Sequence, residues 1–250
     1  MFVVSNEMYA DFEKFTINNF VDNCVKEFAV EHPERFAEAG EMKVREFIDL
    51  AVQKALDYNM LAEREVKGLI TLMTNLGCDF DIDPMFPWAR FHRFPDKGKK
   101  EKMPESFVRL QEVLGHFNSF QKQTSTVNNA GQSGAAKNTQ NLDFRQVVEA
   151  TNDQDILKIL QQIHPSRYAH VPQQALAGQI LYTAEENARE LGLDPQVGKV
   201  LIACLMFLCG FSVIKDPLCV KPASMLDNDI SYGMMKEQEL SRHINSIIFK

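Results

Sequence analysis

Tryptophan occurs once in the 250 residues, glycine twelve times and proline ten. So little glycine and proline excludes a collagen-like or fibrous chain. Cysteine is scarce and odd in number, at five, and no pair stands at metal-ligand spacing with histidine. A disulfide framework is thereby excluded, and the thiols read as reduced and mostly buried in a cytoplasmic protein. Long apolar runs are lacking too. The most hydrophobic stretch, Val200 to Ile214, is 15 residues broken by Gly210 and Ser212, short of the roughly 20 that span a bilayer. It reads as a buried helix, with no membrane insertion. At the start of the chain, apolar Met1 to Val4 is followed at once by Ser5, Asn6 and Glu7, which leaves no signal-peptide core. An excess of basic residues is also missing: 27 Lys and Arg face 34 Asp and Glu, a net charge of −7. That balance disfavours nucleic acid, which needs a basic face.

What the chain does have is apolar residues at helical spacing. Ile17, Phe20, Val21, Cys24, Val25 and Phe28 trace one helix face that stops at His32-Pro33. Val44, Phe47, Ile48, Ala51, Val52 and Ala55 trace a second. Val66, Leu69, Ile70, Met73 and Leu76 trace a third that ends at Gly77, the residue suited to a left-handed terminus. Pro84, Pro87 and Pro95 force a loop, and a fourth helix follows Pro104 with Phe107, Leu110, Leu114 and Phe117 inward. Later, Ile156, Ile159, Leu160 and Ile163 mark a helix ending before Pro165. Leu176, Ile180, Leu181, Ala184 and Ala188 mark the next. Asp194-Pro195 reads as an N-cap with proline at the first helical position, opening a helix apolar nearly all round. Leu240, Ile244, Ile247 and Ile248 mark the last. No period-2 strand pattern appears, so the fold class is all-α.

Ser119 to Asn141 is rich in Ser, Thr, Asn, Gln and Gly, with almost no large apolar residue after Phe120. Such a stretch cannot bury enough surface to offset its ordering entropy. The expected organisation is therefore two helical lobes, 1–118 and 142–250, joined by a flexible linker over 119–141. Shifting the chain by 133 residues aligns Ala51 with Ala184, Ala55 with Ala188, Met73 with Met206, Gly77 with Gly210, Asp83 with Asp216 and Pro84 with Pro217 without a gap. Two explanations stand: an internal duplication, or two amphipathic helix pairs alike by composition.

Asp79, Asp81 and Asp83 alternate as the first ligands of a calcium-binding loop would. The match fails at Pro84, where a glycine is needed, and at Arg90, where a bidentate Glu is needed. No metal or cofactor is expected. Gly77, Phe80, Asp81, Asp83 and Pro84 read instead as a structural motif, with Phe80 and Ile82 plugging the core and the carboxylates facing solvent or capping backbone donors. No HExxH pair, phosphate loop or nucleophile elbow is present, and Cys204 and Cys209 read as inert helix packing. Phe86 to Lys102 differs from the rest. It gathers Arg90, Arg93, Lys97, Lys99, Lys100 and Lys102 among Phe86, Trp88, Phe91, His92 and Phe94, whereas residues 1–85 hold 8 basic and 17 acidic residues. Trp88, Arg90, Arg93, Lys97, Lys99 and Lys100 are the candidate partner-binding residues on a loop suited to an acidic protein surface. In the alternative reading the aromatics tuck into the domain's own core and the lysines solvate the loop.

The opening Met1-Phe2-Val3-Val4-Ser5, the His32-Pro33-Glu34 stop, the Arg45-Glu46-Phe47-Ile48 helix and the string Leu76-Gly77-Cys78-Asp79-Phe80-Asp81-Ile82-Asp83-Pro84 with Pro87-Trp88-Ala89 resemble one bacterial family. Its members are small helical accessory proteins encoded beside the spike-tip and toxin genes of type VI secretion systems. The resemblance covers residues 1–90 and implies a non-enzymatic, adaptor-like protein whose partner is a secreted toxin or spike component. An immunity protein that occludes a cognate toxin is the alternative. A toxin or hydrolase with its site in 142–250 is a third, for which the sequence offers no catalytic constellation.

Overall fold

The computed structural model describes residues 6–91, 105–130, 142–219 and 233–248. All the regular structure among them is helical. The first half runs α1 (Asn6–Glu31), α2 (Pro33–Ala39), α3 (Glu41–Asp57), α4 (Glu63–Leu76), a 3-10 turn (Pro87–Ala89) and α5 (Glu105–Ala130). The second runs α6 (Phe144–Glu149), α7 (Asp153–Ile163), α8 (Pro165–His170), α9 (Gln173–Ala175), a π turn (Leu176–Ile180), α10 (Leu181–Glu190), α11 (Pro195–Cys209) and α12 (Gly233–Ile248). No helix among the described residues is long and apolar enough to cross a membrane.

Helix boundaries follow local chemistry. Pro33 and Pro165 open α2 and α8 because their missing N–H groups would find no partner in a first turn anyway. Asp194 caps α11 by accepting from the Gln196 and Val197 N–H groups, both at 2.9 Å, with Pro195 behind it. Helices α4 and α11 both end at a glycine of positive φ, Gly77 at +99° and Gly210 at +110°. Val200 to Phe207 are wholly buried, which places α11 at the centre of its half against α6, α7, α10 and α12.

Two expectations about organisation change. The polar stretch does not begin as a linker: α5 continues through Ala130, and residues 131–141 lie outside the described residues. Two of its hydroxyls are satisfied along the helix, Ser119 donating to the Gly115 carbonyl at 3.0 Å and Thr124 to the Phe120 carbonyl at 2.9 Å. Phe120 packs its ring on Phe86 and Trp88, at 5.5 and 6.1 Å between centroids. Nor do the halves stand as two lobes, because the buried apolar residues form one contiguous core drawn from both. A chain this long can close a single core, and α5 lies against α8 across the junction.

At that junction the aligned glycine–aspartate turns meet. The Cys78 N–H donates to Asp216 Oδ2 and the Phe211 N–H to Asp83 Oδ2, both at 3.0 Å. Each aspartate also caps its own turn: Asp83 Oδ1 accepts from Met85 N–H at 2.8 Å and Asp216 Oδ1 from Leu218 N–H at 2.9 Å. The shift of 133 residues carries Cys78 onto Phe211, Asp83 onto Asp216 and Met85 onto Leu218, so each bond has its counterpart in the other half and the contact is reciprocal. The helix ends touch so closely that a Cβ on Gly77 would stand 2.9 Å from the Cys209 carbonyl oxygen, and one on Gly210 would stand closer still to that of Leu76. Glycine is required there by approach as well as by φ.

Candidate functional site

A second repeated element, which the sequence reading missed, feeds the junction. His32-Pro33-Glu34-Arg35-Phe36-Ala37 and His164-Pro165-Ser166-Arg167-Tyr168-Ala169 share His-Pro-x-Arg-aromatic-Ala at the starts of α2 and α8. Each arginine reaches a carbonyl near the end of its own half's glycine-terminated helix: Arg35 donates to Thr74, and Arg167 to Leu208 at 3.0 Å. Each also adds positive potential to the other half's aspartate, Arg35 to Asp216 and Arg167 to Asp83. Four residues of repeated signal lay in the sequence, but at a spacing of 132 instead of 133. A gap-free shift passes over it.

The two related positions differ in how they are filled. Arg167 is buried, its guanidinium 5.4 Å from the Phe86 ring and 5.7 Å from Phe207, and burial lowers its pKa against the pull of Asp83 and Cys209. Its Nε and Nη2 have no hydrogen-bond partner among the described residues; the aromatic faces supply the attraction instead. On the other side, the residue aligned with Phe86 is Cys219. A thiol fills far less space than a phenyl ring, and there the structure opens a cleft of about 410 Å³. Arg35, Thr74, Cys209, Asp216, Cys219 and His243 are among the residues that line it.

Burial decides the electrostatics at this junction. It pushes Asp83 up to about 6, against the Met85 and Phe211 N–H groups and Arg167, which favour the anion. Burial likewise raises Asp216. Of the cysteines, Cys204 is enclosed in α11 and pushed up to about 12 by burial, as inert packing should be. Cys209 departs from that reading: half-buried in the cleft wall, it accepts a hydrogen bond from the Cys219 thiol, which lowers its pKa and raises that of Cys219.

The Asp-Phe-Asp-Ile-Asp-Pro string is partly as read. Gly77 ends α4, Phe80 and Pro84 are buried, and Asp83 caps backbone donors. Ile82, expected in the core, is exposed, and Asp81 is buried. The segment is a run of turns, so strict alternation of inward and outward side chains does not hold. Asp81 accepts from the Tyr58 hydroxyl and pairs with Lys54 at 2.9 Å; Lys54 also reaches Asp79 at 3.0 Å. Burial works against the Lys54 charge, but the two carboxylates outweigh it and hold its pKa above the ordinary value.

Of the candidate docking residues, Trp88 is half-buried, its ring 5.6 Å from Phe86 and 5.9 Å from His116. Arg90 is exposed. Arg109 of α5 fixes this base of the loop by donating to the Trp88 carbonyl at 2.9 Å and the Arg90 carbonyl at 2.7 Å. Arg93, Lys97, Lys99 and Lys100 lie outside the described residues. The aromatics near the loop's start therefore serve the chain's own core.

A surface feature the sequence did not reveal is an apolar trough of about 250 Å³ between α1, α3 and the start of α4. Ile17 and Phe20, Ala55 and Leu56, and Met60 and Leu61 form most of its wall. Leu61 is 66% exposed and Leu56 48%. The periodicity put Ile17 on an inward face, yet it is 43% exposed at the trough's edge.

The His164–Ser166 contact, 3.1 Å from Nδ1 to Oγ, has the residue types of a nucleophile and base but works as a helix cap. The same Nδ1 accepts the Arg167 N–H at 3.3 Å, Ser166 is buried, and burial lowers His164 to about 4. Among the described residues no group of three or more His, Cys, Asp or Glu is placed to hold a metal ion. Set against known protein families, curated proteins and solved structures, the chain matches none of them.

Proposed function

We propose that this chain is a non-enzymatic protein-binding module, adaptor-like in role, that takes an amphipathic helix of a protein partner in the α1–α3–α4 trough. The observation that carries the reading is the trough itself: exposed leucines over an apolar floor, the arrangement that accepts residues one turn apart on a partner helix. Charge selects the helix. Residues 1–85 carry 17 acidic against 8 basic residues, Glu63 lines the trough, and nearby cations are engaged, Lys54 by Asp79 and Asp81 and Lys67 by Glu27. A helix with a basic polar face complements that surface. The class of partner, a toxin or spike component of a type VI secretion system, rests on the sequence resemblance of residues 1–90.

The test is recovery of the partner from the native host with the tagged chain, identification by mass spectrometry, and repetition with two variants. The Leu56→Glu, Leu61→Glu pair is expected to lose the partner, while Lys97, Lys99 and Lys100 changed together to Glu retain it. Loss confined to the triple variant, with binding that weakens in added salt, would move docking to the basic loop and an acidic partner. Recovery of no secretion-system protein would remove the assigned partner class.

A further inference from the structure

Cys209 and Cys219 occupy an environment that none of the other cysteines shares. Cys209 is the last residue of α11, and Cys219 closes the turn that follows, its N–H on the Asp216 carbonyl at 3.0 Å. Both line the 410 Å³ cleft, and their thiols are in hydrogen-bond contact. Cys24, Cys78 and Cys204 are buried in the core. In the first half the aligned positions are Leu76 and Phe86, so the paired thiols belong to the open side of the junction alone.

The surroundings divide the two sulfurs by role. Cys209 accepts from Cys219 and feels positive potential from Arg167 and Arg35, opposed by the Asp216 carboxylate. Proton loss from the pair is therefore eased at Cys209, and Cys219 keeps its proton.

We propose that Cys209 and Cys219 form an oxidative modification site, at which an oxidant of the hydroperoxide class entering the cleft converts the pair to an intramolecular disulfide. In the first step the Cys209 thiolate attacks the distal peroxide oxygen. An S–O bond forms, the O–O bond breaks, and the alkoxide or hydroxide leaves and takes up a proton, so Cys209 becomes a sulfenic acid. In the second step the Cys219 sulfur attacks the Cys209 sulfur and gives up its proton, and the sulfenic oxygen departs as water. Two thiols and one hydroperoxide thus yield one disulfide, one alcohol or water from the peroxide, and one water. The bond ties the end of α11 to the far end of the turn carrying Gly210, Phe211 and Asp216, and so fastens the segment that clasps the first half. This site is independent of the trough, and its chemistry requires no partner protein.

The test uses the full chain titrated with hydrogen peroxide under non-reducing conditions and mapped by peptide mass spectrometry. The expected result in the wild type is a Cys209–Cys219 cross-linked peptide, with loss of two hydrogens, before any change at Cys24, Cys78 or Cys204. Cys219→Ser should trap the intermediate, giving a dimedone adduct on Cys209 that the wild type lacks. Cys209→Ser should give neither cross-link nor adduct at the same dose. Far-UV circular dichroism of each variant establishes that it is folded. Oxidation spread evenly over the five cysteines, or a dimedone adduct on Cys209 as strong in the wild type as in Cys219→Ser, would overturn the proposal.

Discussion

Replacing Gly210 by alanine perturbs the junction at its tightest point. Gly210 has φ +110° and ψ 162°, a region open essentially only to glycine and worth about 1–3 kcal/mol of strain for any other residue. Gly40 supplies the control. It sits in the same region, at φ +80° and ψ 158°, but a Cβ there would meet nothing within 4 Å. Gly40→Ala therefore measures backbone strain alone, about 2 kcal/mol. At Gly210 the added Cβ also drives into the Leu76 carbonyl oxygen, which as helix backbone cannot swing aside. The turns must part, and the Cys78–Asp216 and Phe211–Asp83 bonds, now 3.0 Å, lengthen out of range together. A hydrogen bond to a charged group is worth about 1.5–3 kcal/mol, so losing one or both brings the total to about 3.5–8 kcal/mol. That is a large share of a stability of about 5–15 kcal/mol. Urea unfolding followed by circular dichroism should give a midpoint for Gly210→Ala far below that of Gly40→Ala, with Gly77→Ala between them. Equal midpoints for Gly210→Ala and Gly40→Ala would refute the close approach as a determinant of stability.

Phe80→Ala should cost about 3–5 kcal/mol as a buried large-to-small change. Asp81→Asn, for which the sequence predicts little effect, should cost about 1.5–3 kcal/mol because its carboxylate holds Tyr58 and Lys54; urea midpoints check both. Asp83 has a folded-state pKa of about 6 against an ordinary 3.8, so it binds its proton more tightly when folded. Its contribution, about 3 kcal/mol over two pH units, is fully present below pH 3.8 and is lost as the pH rises through about 6. The stability gap between wild type and Asp83→Asn should therefore be wider at pH 4 than at pH 7.5, and a constant gap would contradict the shift. His164, lowered from 6.5 to about 4, acts in the opposite sense: its contribution is present above pH 6.5 and lost as the pH falls toward 4. Replacing it with Asn should flatten that limb of the stability–pH curve.

The helices were legible because one apolar face repeated at helical spacing, and their ends because Pro33, Pro165, Asp194, Gly77 and Gly210 each carry a backbone constraint that acts locally. The start of the polar stretch was misjudged because composition counts Ser119 and Thr124 as unburiable, whereas each satisfies its hydroxyl on the preceding turn. Asp81 and Ile82 exchanged places because a run of turns has no fixed side-chain period. The shift of 133 residues pointed to Gly77, Gly210, Asp83 and Asp216. That these face each other and exchange hydrogen bonds is tertiary information with no local trace. The trough stayed hidden for the same reason: Ile17 and Leu56 look like ordinary members of amphipathic faces until α1 and α3 are placed side by side.

Trp88 is the chain's single tryptophan and stands in the first half, which permits a direct measurement of whether the clasp and shared core make the halves one cooperative unit. Trp88 fluorescence reports the first half, and far-UV circular dichroism reports helices in both. Followed together through equilibrium urea unfolding, the two signals should change in a single transition with one midpoint, and Asp216→Asn, a substitution in the second half at the clasp, should lower the Trp88 midpoint along with the other. Separate midpoints in the wild type, or a Trp88 transition that Asp216→Asn leaves in place, would contradict the union of the halves.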